Sequence, residues 1–227
     1  MNVYSIGDLH LSFSVGPDKS MDRFGGVWIN HAQRLKDNWE KTVADDDLVI
    51  MPGDFSWALK LSEVGPDFDY LKTLPGKKLM VRGNHDLWWS SLKKMRERFP
   101  EVDFIQNDAK DYGSFAVIGS RGWISPDDPD FKEDTDRVIF ERERIRLELS
   151  YQSLGGKQFE KLVCAVHFPP QAFADLFKKF GVTHVVYGHL HGDNAFKTGP
   201  EGLIDGIEYR LVSLDKLNAQ PQLLFKA

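Results

Sequence analysis

The stretch VRGNHDLWW, residues 81–89, decides how the sequence is interpreted. An apolar, strand-like run ends at Gly83, and an amide, an imidazole and a carboxylate follow directly as Asn84, His85 and Asp86. Glycine lets the backbone turn sharply and approach a site closely. Because ligands of open α/β sheets bind beyond the carboxyl ends of the strands, the stretch indicates a functional site where a buried strand stops.

Five predicted strands end in residue types that bind metal ions. These ends are Gly7-Asp8-Leu9-His10, Pro52-Gly53-Asp54, Arg82-Gly83-Asn84-His85-Asp86, His167, and Gly188-His189-Leu190-His191. Five of the seven histidines lie there, whereas His31 and His184 are predicted to be surface or packing residues. Extended backbone in Asp8-x-His10 and His189-x-His191 would send both side chains of each pair to the same side. The pattern predicts a dinuclear metal site.

Short apolar runs alternate with helical patterns, which is typical of an α/β fold. The predicted strands are residues 3–6, 48–51, 78–81, 115–118, 162–166 and 184–187, with two more between 207 and 225. The predicted helices are one capped by Asn30 and containing Leu35, Trp39 and Val43, one containing Trp88, Leu92 and Met95, and two at 139–149 and 172–180. Neither a repeat nor a linker interrupts the pattern, so we expect a single domain over residues 1–227.

The loops and the composition add further expectations. Residues 11–29 and 121–137 are long polar loops, expected to lie near the site because long loops in compact domains are usually functional.

The net charge of -5 argues against a nucleic-acid binder, and the single cysteine excludes an internal disulfide. No run approaches the ~18 apolar residues of a membrane span, and MNVYSIGDLH lacks the features of a secretory signal. We therefore expect a cytoplasmic protein that does not contact a membrane.

The order of the five strand ends resembles the calcineurin-like metallophosphoesterase superfamily, whose pattern is D-x-H, G-D, G-N-H-[DE], H and G-H-x-H. Residues 7–30 and 53–57 also resemble a bacterial group of predicted phosphohydrolases within it. The resemblance implies a four-layer α-β-β-α sandwich, with two mixed sheets face to face and helices outside. It also implies two divalent ions. By this resemblance one ion is bound by Asp8, His10 and His191, the other by Asn84, His167 and His189, and Asp54 bridges them.

The implied activity is hydrolysis of a phosphomonoester or phosphodiester by a hydroxide that bridges two metal ions. The mixed nitrogen and oxygen ligands suit Mn, Fe or Zn better than Ca or Mg, and manganese is the first expectation. The expected partner is a small phosphorylated substrate. Two alternatives stay open, a nuclease of the same superfamily and a non-catalytic metal-binding scaffold. For the nuclease, Lys93-Lys94-Met95-Arg96-Glu97-Arg98 would be a basic patch, but it also fits a helix face of mixed charge.

His85 is predicted to be the catalytic side chain, free of metal, where it would protonate the leaving oxygen or stabilise the phosphoryl group. The alternative is a helper ligand or a capping residue. Asp86 would cap the following helix or orient a neighbour. The sequence departs from the GDxxDRG block of Ser/Thr protein phosphatases. Here Gly53-Asp54-Phe55-Ser56-Trp57-Ala58 has neither the second Asp nor the Arg, which makes protein phosphatase activity less expected and leaves His85 without an assigned partner.

Substrate contacts are predicted from residues that neighbour the ligands. Arg82 is the first candidate for gripping phosphate, with Arg23 and Arg121 as further candidates. Trp57 and Trp88, together with Trp89, either form a wall that stacks on a base or aryl group or pack beneath the loops.

Overall fold

The computed structural model describes residues 1–16 and 19–227 and, within them, eleven strands and six α-helices. The strands are β1 (Asn2–Ser5), β2 (Leu48–Pro52), β3 (Lys77–Val81), β4 (Val102–Phe104), β5 (Lys110–Asp111), β6 (Phe115–Gly119), β7 (Lys161–Ala165), β8 (His184–Tyr187), β9 (Gly202–Ile204), β10 (Ile207–Leu211) and β11 (Gln222–Lys226). The α-helices are α1 (His31–Thr42), α2 (Gly65–Lys72), α3 (Leu92–Arg98), α4 (Glu133–Gln152), α5 (Ala174–Phe180) and α6 (Asp193–Phe196).

The strands form two mixed sheets. The five-stranded sheet has the order β11-β1-β2-β3-β4, in which β1 to β4 are parallel and β11 pairs antiparallel with β1. The six-stranded sheet has the order β5-β6-β7-β8-β10-β9, with four parallel central strands and antiparallel edges. The parallel strands therefore present their carboxyl ends along one edge of each sheet.

The two sheets pack face to face, and helices cover the outer face of each sheet. The side chains of a strand alternate between these two faces. In β2, Leu48 and Ile50 belong to a core that both sheets share, whereas Val49 and Met51 belong to a core formed with α1 to α3. In β7, Val163 contributes to the shared core and its neighbours pack toward α4 and α5. Successive side chains of a strand point to opposite faces, so three separate cores require four layers. The predicted α-β-β-α sandwich is confirmed.

Helices α1 and α5 are each held against a sheet by an apolar face. Leu35 and Trp39 of α1 are fully buried, and so is Phe177 of α5. Burying a side chain of this size contributes about 1.5–3 kcal/mol. Helix α5 ends at Gly181, whose left-handed backbone forms the predicted C-terminal stop.

The sequence-based elements differ from the structure at several boundaries. Helix α2 was not predicted, because its eight residues start with Gly65 and Pro66 and show only a weak apolar stripe. Trp88 precedes α3 instead of belonging to it, since Ser91 caps that helix through a bond from the Lys94 amide. Helix α4 is longer than predicted and takes up the end of the 121–137 loop. The short strands β4, β5 and β9 lacked a recognisable pattern.

Candidate metal centre

The seven predicted ligands lie at the carboxyl ends of five parallel strands, where the two sheets meet. Asp8 and His10 follow β1, Asp54 follows β2 and Asn84 follows β3. His167 follows β7, and His189 and His191 follow β8. Ligand atoms of Asp8, His10 and His191 lie within 4.8 Å of one another, and so do those of Asp8, Asp54 and His167. The fold thus brings together residues that are up to 183 positions apart in sequence.

The first ligand set surrounds His10. Its Nε2 atom lies 3.3 Å from His191 Nε2 and 3.9 Å from Asp54 Oδ2. On the other side of His191, Nδ1 lies 3.0 Å from Asp215 Oδ1. The Asp215 carboxylate accepts a hydrogen bond from Nδ1–H of His191, which leaves Nε2 as the ring atom that faces His10.

The second ligand set surrounds Asn84. Its Oδ1 atom lies 2.6 Å from His167 Nε2 and 3.0 Å from His189 Nδ1, and these two ring nitrogens are 3.3 Å apart. His167 Nε2 is also 3.3 Å from Asp54 Oδ2. The Asp54 carboxylate therefore contacts both sets.

This arrangement fits two divalent ions. Ring nitrogens converge in pairs at 3.3 Å in both sets, and facing lone pairs repel unless a proton or a cation lies between them. Ligands of a tetrahedral ion with bonds of about 2.1 Å are about 3.4 Å apart, close to these separations. Four of the seven ligands are at most 2% exposed, namely Asp8, His10, Asp54 and His167.

The ligands are held by strained backbone. Asp8, His10, Asp54 and His189 have positive φ angles of 55°, 44°, 52° and 73°. The expectation that extended backbone aligns each ligand pair is therefore wrong, because the chain turns into the left-handed region directly after each strand. Such conformations are costly outside glycine and persist where surrounding contacts enforce them, typically at functional sites.

Two glycines make room for the carboxylates. A Cβ atom at Gly83 would collide with Asp54, and one at Gly188 would collide with Asp8. Both glycines directly precede a ligand in the sequence. They are needed for close approach of the backbone.

Asp86 ties two of the ligand loops together. Its Oδ2 accepts the amides of Asp54 and Gly83 at 2.9 and 2.8 Å, and its Oδ1 accepts the amide of Phe55 and Nε1 of Trp88, each at 2.9 Å. Burial and the Asp54 charge raise the pKa of Asp86 to about 6, but with only N–H donors around it the carboxylate stays ionised at neutral pH. Its role is thus to orient a neighbouring loop, one of the two predicted alternatives.

Burial and neighbouring carboxylates shift the pKa values of the histidine ligands in opposite directions. It lowers the pKa of His10 and of His189 to about 3, so both rings are neutral at physiological pH. Burial also opposes the charged form of His167, but the carboxylates of Asp54 and Asp8 outweigh it and raise the pKa of this ring to about 9. A metal ion bound by His167 would displace that proton.

Two positioning residues were missed in the sequence. Asp215 orients His191 and also accepts the Gly192 amide at 3.1 Å, yet it lies 24 positions from His191, without any local signal. His31 is buried, as the packing alternative predicted, and its Nε2 contacts the carbonyl oxygen of Leu9 at 3.0 Å. It supports the turn between Asp8 and His10. Outer-shell partners of this kind fix the orientation of ligands.

Comparison with known proteins identifies the family. The family model described as calcineurin-like phosphoesterase matches residues 1–193. The chain belongs to the calcineurin-like phosphoesterase family. The resemblance to the superfamily is confirmed, and no curated protein matches the chain.

Two solved structures show the same fold. The protein TT1561 of Thermus thermophilus is 13% identical, with 98% of this chain and 97% of that chain covered and a TM-score of 0.59. The Aquifex aeolicus protein of unknown function AQ665 is 16% identical, with 98% and 95% covered and a TM-score of 0.53. At these identities the likeness concerns the fold alone.

A cleft opens above the ligands of this phosphoesterase domain. It has a volume of about 240 Å³ and is lined by the ligands His10, Asp54, His189 and His191, by His85, and by Met21, Phe24, Trp28 and Trp57. His85 is exposed, and its backbone amide donates to Asp54 Oδ1 at 2.8 Å. Within residues 1–16 and 19–227 its ring has no hydrogen-bond partner, but it lies 4.6 Å from the Trp57 ring between centroids.

Both long loops reach the site. The described part of the 11–29 loop supplies Met21, Phe24 and Trp28 to the cleft, while residues 17 and 18 lie outside the described residues. Ile124, Ser125 and residues 127–130 of the other loop line a neighbouring groove of about 590 Å³, which also reaches His189.

Two predicted substrate contacts need correction. Trp88 is 1% exposed and packs in the core against Phe55 and Phe68, which leaves no face for a substrate. Arg82 lines a different cavity, together with Arg121. That cavity measures about 10 Å³, room for no more than one water molecule. Of Arg82, Trp57 and Trp88, only Trp57 lines the cleft.

None of the described helices combines the length and the apolar character that crossing a bilayer requires. The longest, α4, has 20 residues and carries charged side chains throughout.

Proposed function

We propose that this protein is a phosphoesterase that depends on two divalent metal ions and hydrolyses a small phosphorylated substrate. The observation that carries the proposal is that Asp54 contacts both ligand sets at the floor of a cleft, with His85 beside them and in neither set. When bound, two ions at such a site lower the pKa of a shared water and attract the phosphoryl oxygens.

The charges of the ligands support a phosphate-binding role. Among the seven ligands only Asp8 and Asp54 are anionic, and the histidines and Asn84 are neutral when they bind a metal. Two dications would therefore keep a positive surplus, which attracts a phosphoester dianion or monoanion. A site built from carboxylates alone would cancel that surplus.

His85 is the proposed proton donor to the leaving oxygen. Its amide is fixed by the Asp54 carboxylate, so its position is coupled to that of the bridging ligand. Its exposed ring faces the cleft and can exchange protons with solvent. Stabilisation of charge on the phosphoryl group is the alternative role for the same ring.

The proposed metals are manganese, iron or zinc, with manganese first, because imidazole nitrogen and carboxylate or amide oxygen are mixed in both sets. A free, buried Cys164 suits a reducing compartment, which supports the proposal of a cytoplasmic location.

The acidic groove argues against the nuclease alternative. Asp127, Asp128 and Asp130 line the groove that reaches His189, where they would repel the phosphates of a nucleic-acid strand. The scaffold alternative loses support because each ligand type is present and converges with its partners. A nuclease would instead show binding to single- or double-stranded nucleic acid that weakens steeply with salt.

The test is turnover by manganese-loaded protein of nitrophenyl phosphate and of bis(nitrophenyl) phosphate, with metal content measured in the same samples. We expect about two ions per chain and hydrolysis of at least one of the two compounds. Asp46→Asn, at an exposed position, is the matched control for ligand variants and should behave as wild type. Full metal loading without any turnover would favour the scaffold, and loss of metal on desalting would contradict the dinuclear site.

A further inference from the structure

The cleft above the metal centre has an apolar wall. Met21, Phe24 and Trp28 come from the segment 19–30, and Trp57 comes from the loop after β2. Trp57 stacks on the ligand ring of His10 with 4.8 Å between centroids, and Trp28 lies 5.5 Å from the His191 ring. The wall therefore begins directly at the ligands.

The segment that carries this wall is held in place by hydrogen bonds. Asp22 Oδ1 accepts the Asn30 amide at 2.6 Å, and Arg34 Nη1 donates to the Val27 carbonyl at 2.6 Å. The amide of Trp28 donates to the carbonyl of Gly25 at 3.1 Å. Because the wall is ordered before a ligand arrives, binding against it costs little conformational entropy.

Exposure increases along the wall from its floor to its mouth. Met21 and Trp28 are 6% and 8% exposed, whereas Phe24 at the mouth is 74% exposed. Val27 and Ile29 of the same segment are also exposed. A group of exposed apolar side chains beside a site marks a surface that a ligand covers.

We infer that the alcohol part of the substrate is apolar, an alkyl chain or a single aromatic ring that lies against Phe24, Trp28 and Trp57. This inference rests on the proposed phosphoesterase function, which places the phosphoryl group at the metals. An apolar cavity of about 150 Å³ accommodates benzene, so a cleft of about 240 Å³ holds one ring or a short chain beside the phosphoryl group. Among the described residues that line the cleft there is no lysine or arginine, so a second anionic group would find no cationic partner there.

The test uses n-alkylphosphonates, from methyl to hexyl, as non-hydrolysable probes of manganese-loaded protein in calorimetric titrations. Each added methylene that reaches the wall should tighten binding by about fourfold, the value of a fully buried methylene. Phe24→Ala should lower this gain to about twofold or less, and Phe24→Leu should keep most of it. Phe13→Ala is the matched control, because Phe13 is equally an exposed loop phenylalanine, at 52%, but packs on Tyr70 outside the cleft.

The outcomes separate the inference from the function on which it rests. Equal affinities for all phosphonates would contradict the apolar alcohol and leave the phosphoryl site standing. A gain per methylene that is unchanged in Phe24→Ala and in a Trp57→Ala variant would also contradict it. If manganese binds but no phosphonate does, the phosphoryl site itself is wrong, and the inference is wrong with it.

Discussion

At the scale of single residues, Asp54 is the point on which both ligand sets depend. Its carboxylate is 1% exposed and lies 3.9 Å from His10 and 3.3 Å from His167. In the other carboxylate ligand, Asp8, Oδ2 accepts a hydrogen bond from the backbone amide of His189 at 3.0 Å. Asp54 Oδ1 likewise accepts the backbone amide of His85 at 2.8 Å, so the fold positions both carboxylates.

We predict that Asp54→Asn loses more metal than any other single ligand substitution. The amide keeps the shape but removes the negative charge that screens two cations from each other. Manganese content after desalting should fall from about two to one ion per chain or fewer. Asp46→Asn should retain both ions, and a fully loaded Asp54→Asn variant would contradict the bridging role.

We predict that His85→Asn keeps wild-type metal content and loses activity according to the leaving group. A general acid is needed most when the leaving oxygen is a poor one, so kcat on an alkyl phosphate should fall by about 10²–10⁴-fold. The fall on nitrophenyl phosphate should be much smaller. Equal losses on both substrates would assign His85 to the phosphoryl oxygens, and loss of metal would make it a ligand.

At the scale of elements, the site depends on how the loops after β2 and β3 are joined. The Asp86 carboxylate connects these two loops, and every group that hydrogen-bonds to it is an N–H donor. In Asp86→Asn, the new NH₂ group would face two or three of these donors. We predict a loss of about 2–5 kcal/mol in the free energy of unfolding, since each buried donor without an acceptor costs about 1–3 kcal/mol.

The measurement is urea denaturation of the metal-free protein, followed by manganese affinity. Metal binding should weaken by about 10–100-fold, as expected when an orienting residue is removed. Ordinary surface substitutions change the free energy of unfolding by no more than about 0.5 kcal/mol. If Asp86→Asn differs from the Asp46→Asn control by no more than that, Asp86 is dispensable.

The elements also show how far the sequence predicts the structure. Strands such as β2 and β7 were predicted because apolar runs buried on both faces have a clear signal, and the ligands were predicted because each directly follows such a strand. Asp215 was not predicted, because it contacts a histidine 24 residues away in the sequence. Helix α2 was not predicted, because its sequence lacks a strong periodic pattern. Trp88 was misassigned because sequence proximity to a ligand does not reveal which way a side chain points. The left-handed φ angles of the ligands likewise follow from tertiary contacts.

At the scale of the whole molecule, the buried acids determine how stability changes in alkali. Burial raises the pKa of the Cys164 thiol far above its ordinary value of 9.0, and burial also raises the pKa of Tyr187. The folded state keeps these protons while the unfolded chain releases them. Their contribution to stability is thus complete below about pH 9 and is lost as the pH rises above it.

We predict that Cys164→Ala reduces the decline of stability above about pH 9 by about 1.4 kcal/mol per pH unit, the effect of one proton. Urea denaturation of metal-free wild type and variant between about pH 9 and 10.5 measures the two slopes. The smaller side chain lowers stability at every pH, so the difference in slope is the informative quantity. Parallel slopes would mean that the thiol ionises in the folded protein.

The ligands are divided between the two sheets, and this division has a consequence during synthesis of the protein on the ribosome. His191 is synthesised roughly 180 residues after Asp8, on the order of 10–40 s later at usual elongation rates. The nascent chain lacks His167, His189 and His191 until the strands of the second sheet are made, so neither ligand set is complete before then. We therefore expect competing metals in the cell to be sorted only after strands of both sheets have been synthesised.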